Sequence, residues 1–187
     1  RTRYFWKVFV TTDLDEVIES PVSYFETSKL NEPWTGTWIS TQKVGNDIPP
    51  YVRKTFSIPD GKQIKEARVY CTGLGLYELY INGTKATNEF FLPGNNNYHL
   101  WIQYQTFDVT QLIQQKNNAI GVLLGDGWAR NRFFCESVRG DLKRCIKGMG
   151  SDNVVNRFEF LFELHLLYQD ETTEIINSDG SWKCHKS

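Results

Sequence analysis

Three observations predict an all-β chain folded as an antiparallel β-sandwich or jelly roll. Short runs of alternating apolar and polar residues recur along most of its length. Turn chemistry separates nearly every pair of them. No segment carries a long helical period, an internal repeat or a heptad. The strongest local signal is the run at residues 76–81, LYELYI, followed directly by Asn82-Gly83. That pair supplies the two positive φ angles a type I′ hairpin turn requires.

The other elements follow in chain order. Residues 4–11 and 22–27 read as strands, with a turn-rich link at 13–20 between them. Two strands are too few to close a sandwich, so residues 1–33 read as the last strands of an upstream β-domain. Residues 34–187 read as one main domain, truncated at its C-terminal end. Within it, 51–58 (YVRKTFSI) alternates and stops at Pro59-Asp60-Gly61, and 65–72 (KEARVYCT) leads into Gly73 and Gly75. Residues 84–86 should return from the hairpin, and 103–107 form a further strand. Asp108 can cap a single helical turn in VTQLIQQ, ended by Lys116-Asn117-Asn118. Residues 119–124 (AIGVLL) form a short buried strand bounded by Gly125. Residues 157–168 (RFEFLFELHLLY) alternate, turn at Gln169-Asp170-Glu171 and return over 172–176. Ser178-Asp179-Gly180 makes the final turn.

Composition narrows the function. The 187 residues hold 22 acidic and 21 basic side chains, a net charge of −1. Nothing there recruits nucleic acid or an anionic membrane. No apolar run approaches the roughly 20 residues of a membrane span, and the compartment stays open. The four cysteines, Cys71, Cys135, Cys145 and Cys184, fit no zinc spacing. Cys71 reads as a small buried hydrophobe. Glycoside hydrolysis needs two carboxyl groups flanking one bond; Glu78 and Glu163 lie on alternating strands and read as solvent-facing, so no catalytic pair is assigned. His99, His165 and His185 are scattered, and no G-x-S-x-G elbow is present.

Two local motifs can meet a sugar. Gly125-Asp126-Gly127-Trp128 leaves the end of a buried strand, where the Trp128 ring can stack on a sugar's C–H face while Asp126 binds hydroxyls. The same residues also fit a plug: Trp128 closing the sandwich end and Asp126 satisfying turn amides. Asn95, Asn96 and Asn97 with Tyr98 follow Pro93-Gly94, and their amides can bind hydroxyls or offer carbonyl oxygens to calcium. A loop needing left-handed backbone would use asparagine equally.

The phrases ARVYCTGLGLYELYING, LPG followed by Tyr98, IQYQTFDVT and GVLLGDGWARNRF resemble the N-terminal accessory domain of bacterial α-L-rhamnosidases. FEFLFELHLLYQDETTEIINSDGSWK resembles that domain's closing hairpin. SPVSYFETSKLNEPWTGTWIS resembles its junction with a preceding fibronectin-like module. YELYINGTK with TFDVTQLIQQKNNAIGVLLGDG is similar, more broadly, to the galactose-binding-like jelly rolls attached to many glycosidases. The resemblance covers most of residues 20–134 and 158–184 and leaves 135–157 unmatched. It implies a carbohydrate-binding accessory domain of a glycoside hydrolase that releases terminal L-rhamnose, with the catalytic (α/α)₆ barrel in another part of the same polypeptide. This chain alone would not be an enzyme. Its alternative role is to buttress that barrel. Some members bind rhamnose in this domain together with calcium, for which Asn96, Asn97 and Asp126 would be the ligands here. The chain departs from the family where an aromatic, then Thr, usually follows LPG: here stand Asn95 and Asn96. Leu100 and Trp101 replace two basic residues after Tyr98, so the usual stacking surface has changed.

Overall fold

The computed structural model describes residues 1–40, 50–96, 98, 100–129 and 158–186. Two compact units divide the chain, Arg1–Trp34 and Thr35–Ser187. In the first, β1 (Arg3–Trp6) pairs antiparallel with a later strand, and β2 (Phe9–Thr11) pairs with β3 (Val17–Glu19). β1's partner is β4 (Ser23–Glu26), and Tyr4 stacks on Phe25 across that pair at 5.3 Å. The 4–11 run therefore breaks in two, and part of the expected 13–20 link is strand. Ser20 accounts for the closure: its amide donates to the Val8 carbonyl at 2.9 Å and its hydroxyl accepts from the Val8 amide at 3.0 Å.

The second unit is the sandwich. It contains β5 (Ile39–Ser40), β6 (Pro50–Phe56), β7 (Ile64–Leu74), β8 (Leu76–Ile81), β9 (Thr84–Lys85), β10 (Gln105–Asp108), β11 (Asn118–Gly125), β12 (Glu159–Tyr168), β13 (Thr173–Asn177) and β14 (Lys183–Lys186). One sheet runs β10-β7-β12-β13 with β5 also on β12; the other runs β14-β6-β11-β8-β9. Every described pairing in both is antiparallel. Helical content among the described residues is a single 3₁₀ turn, Thr110–Leu112. The N-cap is Val109, without a side-chain cap bond, and not Asp108 as expected: Asp108 lies one residue earlier on β10, where its Oδ1 accepts from the Thr110 amide at 3.1 Å.

Alternation builds the core. Val69 and Cys71 on β7, Leu79 and Ile81 on β8, Ile120 and Val122 on β11 and Phe160, Phe162, Leu164 and Leu166 on β12 all point between the sheets and are buried. Trp182 wedges against Phe162 (ring centroids 5.4 Å) and Phe160 (6.3 Å). Burial pushes the Cys71 thiol up to about 12, which keeps it protonated and inert. At one end of the sandwich the hairpin residues Asn82 (φ 52°) and Gly83 (φ 81°) adopt the expected left-handed pair. Asn82 also binds the buried Asn118 at 2.9 Å and the Ala119 amide at 2.8 Å, locking β8 to β11.

Glu163 corrects the sequence reading. It lies on the outer side of β12, as alternation requires, but is completely buried. Its Oε1 accepts from the Thr35 amide, the Thr35 hydroxyl (2.9 Å) and the Gly36 amide (3.2 Å). His165 Nε2 lies 2.8 Å from Oε2. A strap remote in sequence covers this face, which a local period cannot show.

Asp179 in the last turn accepts from Lys54 Nζ at 2.8 Å, from the Ser181 amide at 2.9 Å and from its hydroxyl at 2.6 Å. The Lys54 bond first, then Ser181, hold its carboxyl down at about 2, from an ordinary 3.8. A depressed folded-state value gives stability that is complete above the ordinary value and lost as pH falls towards about 2. Asp179→Asn should therefore lower the urea midpoint at pH 6 and converge with the parent chain at pH about 2. The effect stays below about 1 kcal/mol, because solvent screens the partly exposed pair. Equal midpoint differences at both pH values would contradict this.

Candidate carbohydrate-binding edge

At the end opposite the Asn82-Gly83 hairpin, β7 hands over to β8, β11 finishes and β12 begins. Two glycine motifs cross there. Gly75 has φ 122°, and a Cβ on it would lie 2.4 Å from the Gly125 carbonyl oxygen. Gly127 has φ 55°, and a Cβ there would meet Leu76 Cγ at 2.7 Å. The GLG and GDG segments thus touch backbone to backbone, which sets where Asp126 and Trp128 leave the sheet.

The LPG loop joins the same end. The Tyr77 amide donates to the Leu92 carbonyl at 2.9 Å in an isolated bridge. The Leu92–Pro93 peptide bond is cis. The buried Tyr77 hydroxyl donates to Gln105 Oε1 at 2.6 Å, and Gln105 Nε2 donates to the Pro93 carbonyl at 3.4 Å. Burial raises the Tyr77 phenol far above its ordinary value, so it acts as a fixed donor.

The sequence-predicted residues fall out as follows. Trp128 is partly exposed and packs edge-to-face on Phe91 at 6.4 Å. That contact joins the GDGW turn to the segment just before LPG. Asp126 is partly exposed beside it in sequence. Asn95 is exposed. Asn96 is buried and serves the loop itself: its Oδ1 accepts from the Gln103 amide at 3.0 Å and its Nδ2 donates to the Gly94 carbonyl at 3.1 Å. Tyr98 is partly buried and donates its hydroxyl to Gly94 O at 3.3 Å. Asn97 lies outside the described residues, as do His99, Cys135, Cys145 and the 135–157 stretch.

Sequence reasoning missed the aromatic surface beside these groups. Phe90 and Phe91 are each more than two-thirds exposed, and Leu100 and Trp101 are also exposed. Lys85 Nζ sits 4.0 Å over the Phe90 ring. The available signal was an FF doublet followed by LPG and a polar run, a poor candidate for core. Among the described residues no group of three or more His, Cys, Asp or Glu side chains could hold a metal ion. Calcium takes about six to eight oxygens. Of the three residues expected to hold it, Asn96 is bonded within its own loop, Asp126 is partly exposed and Asn97 lies outside the described residues.

A two-sheet antiparallel sandwich with aromatic and amide groups on its end loops defines a class of β-module whose function sits in loops grafted on a rigid frame. Comparison with known proteins gives the family. Residues 62–187 match the family model of the α-L-rhamnosidase N-terminal domain, and the chain belongs to that family. It is 30% identical over 199 residues to an α-L-rhamnosidase of Alteromonas sp. (strain LOR), covering 100% of this chain and 20% of that protein. It resembles the solved α-L-rhamnosidase of Dictyoglumus thermophilum with TM-score 0.74 and 33% identity, covering 98% of this chain and 20% of that one. The native enzyme of Aspergillus terreus follows with TM-score 0.69 and 29% identity, over 90% of this chain and 19% of the other. The chain thus spans about a fifth of the length of the relatives it matches.

Proposed function

We propose that the sandwich is a non-catalytic accessory domain of an α-L-rhamnosidase and binds L-rhamnose or a rhamnoside at the Trp128 edge. The observation that supports this most is the Phe91–Trp128 contact. It joins the GDGW turn to the segment leading into the LPG loop and sets the exposed Phe91 ring beside Trp128. A 6-deoxy sugar offers a methyl group and a C–H face to such rings, and the Asp126 carboxylate and Asn95 amide are the hydroxyl-binding groups of this reading. The catalytic barrel of the same polypeptide would be its partner. The first unit, whose Phe5, Phe9, Val17 and Phe25 side chains are all more than half exposed, is the end of an upstream β-domain whose remaining strands would cover them.

L-rhamnose should bind with a Kd near 1 mM, because a monosaccharide offers few atoms and its hydroxyls must give up water. Calorimetry or amide shifts, with and without calcium, provide the test. Trp128→Ala and Asp126→Ala should each weaken binding tenfold or more. No response at tens of millimolar sugar in either condition would leave the second role, a buttress for the catalytic barrel. The Asn96 carboxamide, engaged within its own loop, favours that role.

A further inference from the structure

The outer face of the β14-β6-β11-β8-β9 sheet carries a depression. Strand register lays its side chains out in two rows. Lys183, Arg53, Gly121, Tyr80 and Lys85 stand opposite one another across β14-β6-β11-β8-β9. His185, Tyr51, Leu123 and Glu78 form the adjacent row. The alternate residues Val52, Val122 and Leu79 are buried in the core, so both rows face outward. Gly121 leaves a gap in the first row: a Cβ there would touch only the Tyr80 Cβ, at 4.0 Å. With strands roughly 4.8 Å apart, the gap between Arg53 and Tyr80 is about 10 Å across, wide enough for one six-membered sugar ring. The structure records a pocket at this place, lined by Tyr51, Arg53, Tyr80, Leu123, Lys183 and His185.

The charge left unpaired in these two rows is positive. Glu78, the single carboxylate of the two rows, is held by Lys85 at 2.8 Å and by the Tyr80 hydroxyl at 2.7 Å. Arg53 and Lys183 make no ion pair among the described residues. An uncompensated guanidinium beside an ammonium is an anion site, and a guanidinium can grip a carboxylate or sulfate with two parallel bonds. Tyr80 at one side of the gap, and Tyr51 in the adjacent row beside Arg53's strand, add surface for a sugar's C–H face.

We propose that this depression binds an anionic pyranose residue, with Arg53 and Lys183 on its carboxylate or sulfate and the ring over Gly121 between Tyr51 and Tyr80. The choice of a sugar over another anion rests on the proposed accessory role; the cationic floor does not. Its lining includes none of the edge residues Asp126, Trp128, Asn95 or Tyr98, and the proposed site and that edge are occupied independently.

The test uses the 187-residue chain and four probes: methyl glucuronide, glucose 6-sulfate, neutral methyl glucoside and sodium acetate. The glucuronide, the sulfate sugar or both should shift the Gly121 amide with millimolar affinity that weakens as salt rises. The neutral glycoside and acetate should bind at least tenfold more weakly. Gly121→Val fills the gap with a strand-favouring side chain, and Arg53→Gln removes the charge while leaving the gap; each should weaken binding tenfold or more. Saturating L-rhamnose should not displace the bound probe. Equal binding of the neutral glycoside, equal binding of acetate, insensitivity to both substitutions or displacement by rhamnose would each overturn the proposal. Silence from every charged probe while rhamnose still binds would overturn it alone and leave the rhamnose edge standing.

Discussion

Glu163→Ala is expected to destabilise the sandwich by about 3–5 kcal/mol, the range for removing one member of a buried, hydrogen-bonded charge cluster. The carboxylate is fully buried. It satisfies two backbone amides and a hydroxyl of Thr35 and Gly36, and its other oxygen meets His165. Truncation leaves a cavity at a fully buried position and removes the acceptor of the Gly36 amide and the partner of the part-buried His165. Each buried polar group left unsatisfied costs about 1–3 kcal/mol, whereas the donors of the exposed Thr35 can turn to water. Glu163→Gln keeps an acceptor towards Thr35 and Gly36 and should cost much less. Urea unfolding followed by Trp182 fluorescence, which reports from the core beside Phe160 and Phe162, measures both. A loss below about 1 kcal/mol for the alanine variant would mean that the strap contributes no more than an exposed ion pair.

Gly75→Ala is expected to cost about 3 kcal/mol or more and to disturb the Trp128 edge. Two effects combine. The backbone at φ 122° is strained for any residue with a Cβ. The new Cβ would also lie 2.4 Å from the Gly125 carbonyl oxygen, so backbone must move rather than a side chain. Gly83→Ala separates the two terms. Its φ of 81° is also positive, yet a Cβ added there would find nothing within 4 Å. That variant should lose only about 1 kcal/mol. Denaturation gives the stabilities, and the indole N–H resonance of Trp128, assigned by its loss in Trp128→Phe among the six tryptophans, reports the edge. Equal costs at the two glycines would show that strain alone matters and that the GLG–GDG crossing is loose. An unaltered Trp128 signal in Gly75→Ala would show that the crossing does not set the edge.

Much of the fold was legible because it is local. Local pattern, alternation in β6 and a short apolar run ending at Gly125 in β11, marks β6, β7, β8 and β11 within a residue or two of their observed bounds, and β8 is read without error. The Asn82-Gly83 turn is a property of two adjacent residues, so context cannot hide it. Misreadings fall where an element is short or its partner is distant. β3 is three residues long and β5 two, too few for a period to register. Glu163 has the period of a solvent-facing residue, and only the strap at Thr35 and Gly36, over a hundred residues away in sequence, makes it buried.

The candidate site divides along the same line. Residue types at the edge, a tryptophan beside an aspartate and an asparagine-rich loop after LPG, are explicit in the sequence. Membership of the rhamnosidase N-terminal family is explicit there too, because motif order survives in a single chain. Tertiary structure decided which of these groups are available. It turned Asn96 inward to hold Gln103 and Gly94, and it brought Phe91 onto Trp128. Strand register across β14, β6, β11 and β8 set Gly121 between Arg53 and Tyr80, forming a depression that no contiguous motif encodes. The physical reason is that chemistry is a property of side chains, whereas availability depends on what packs against them, and most of those partners are remote along the chain.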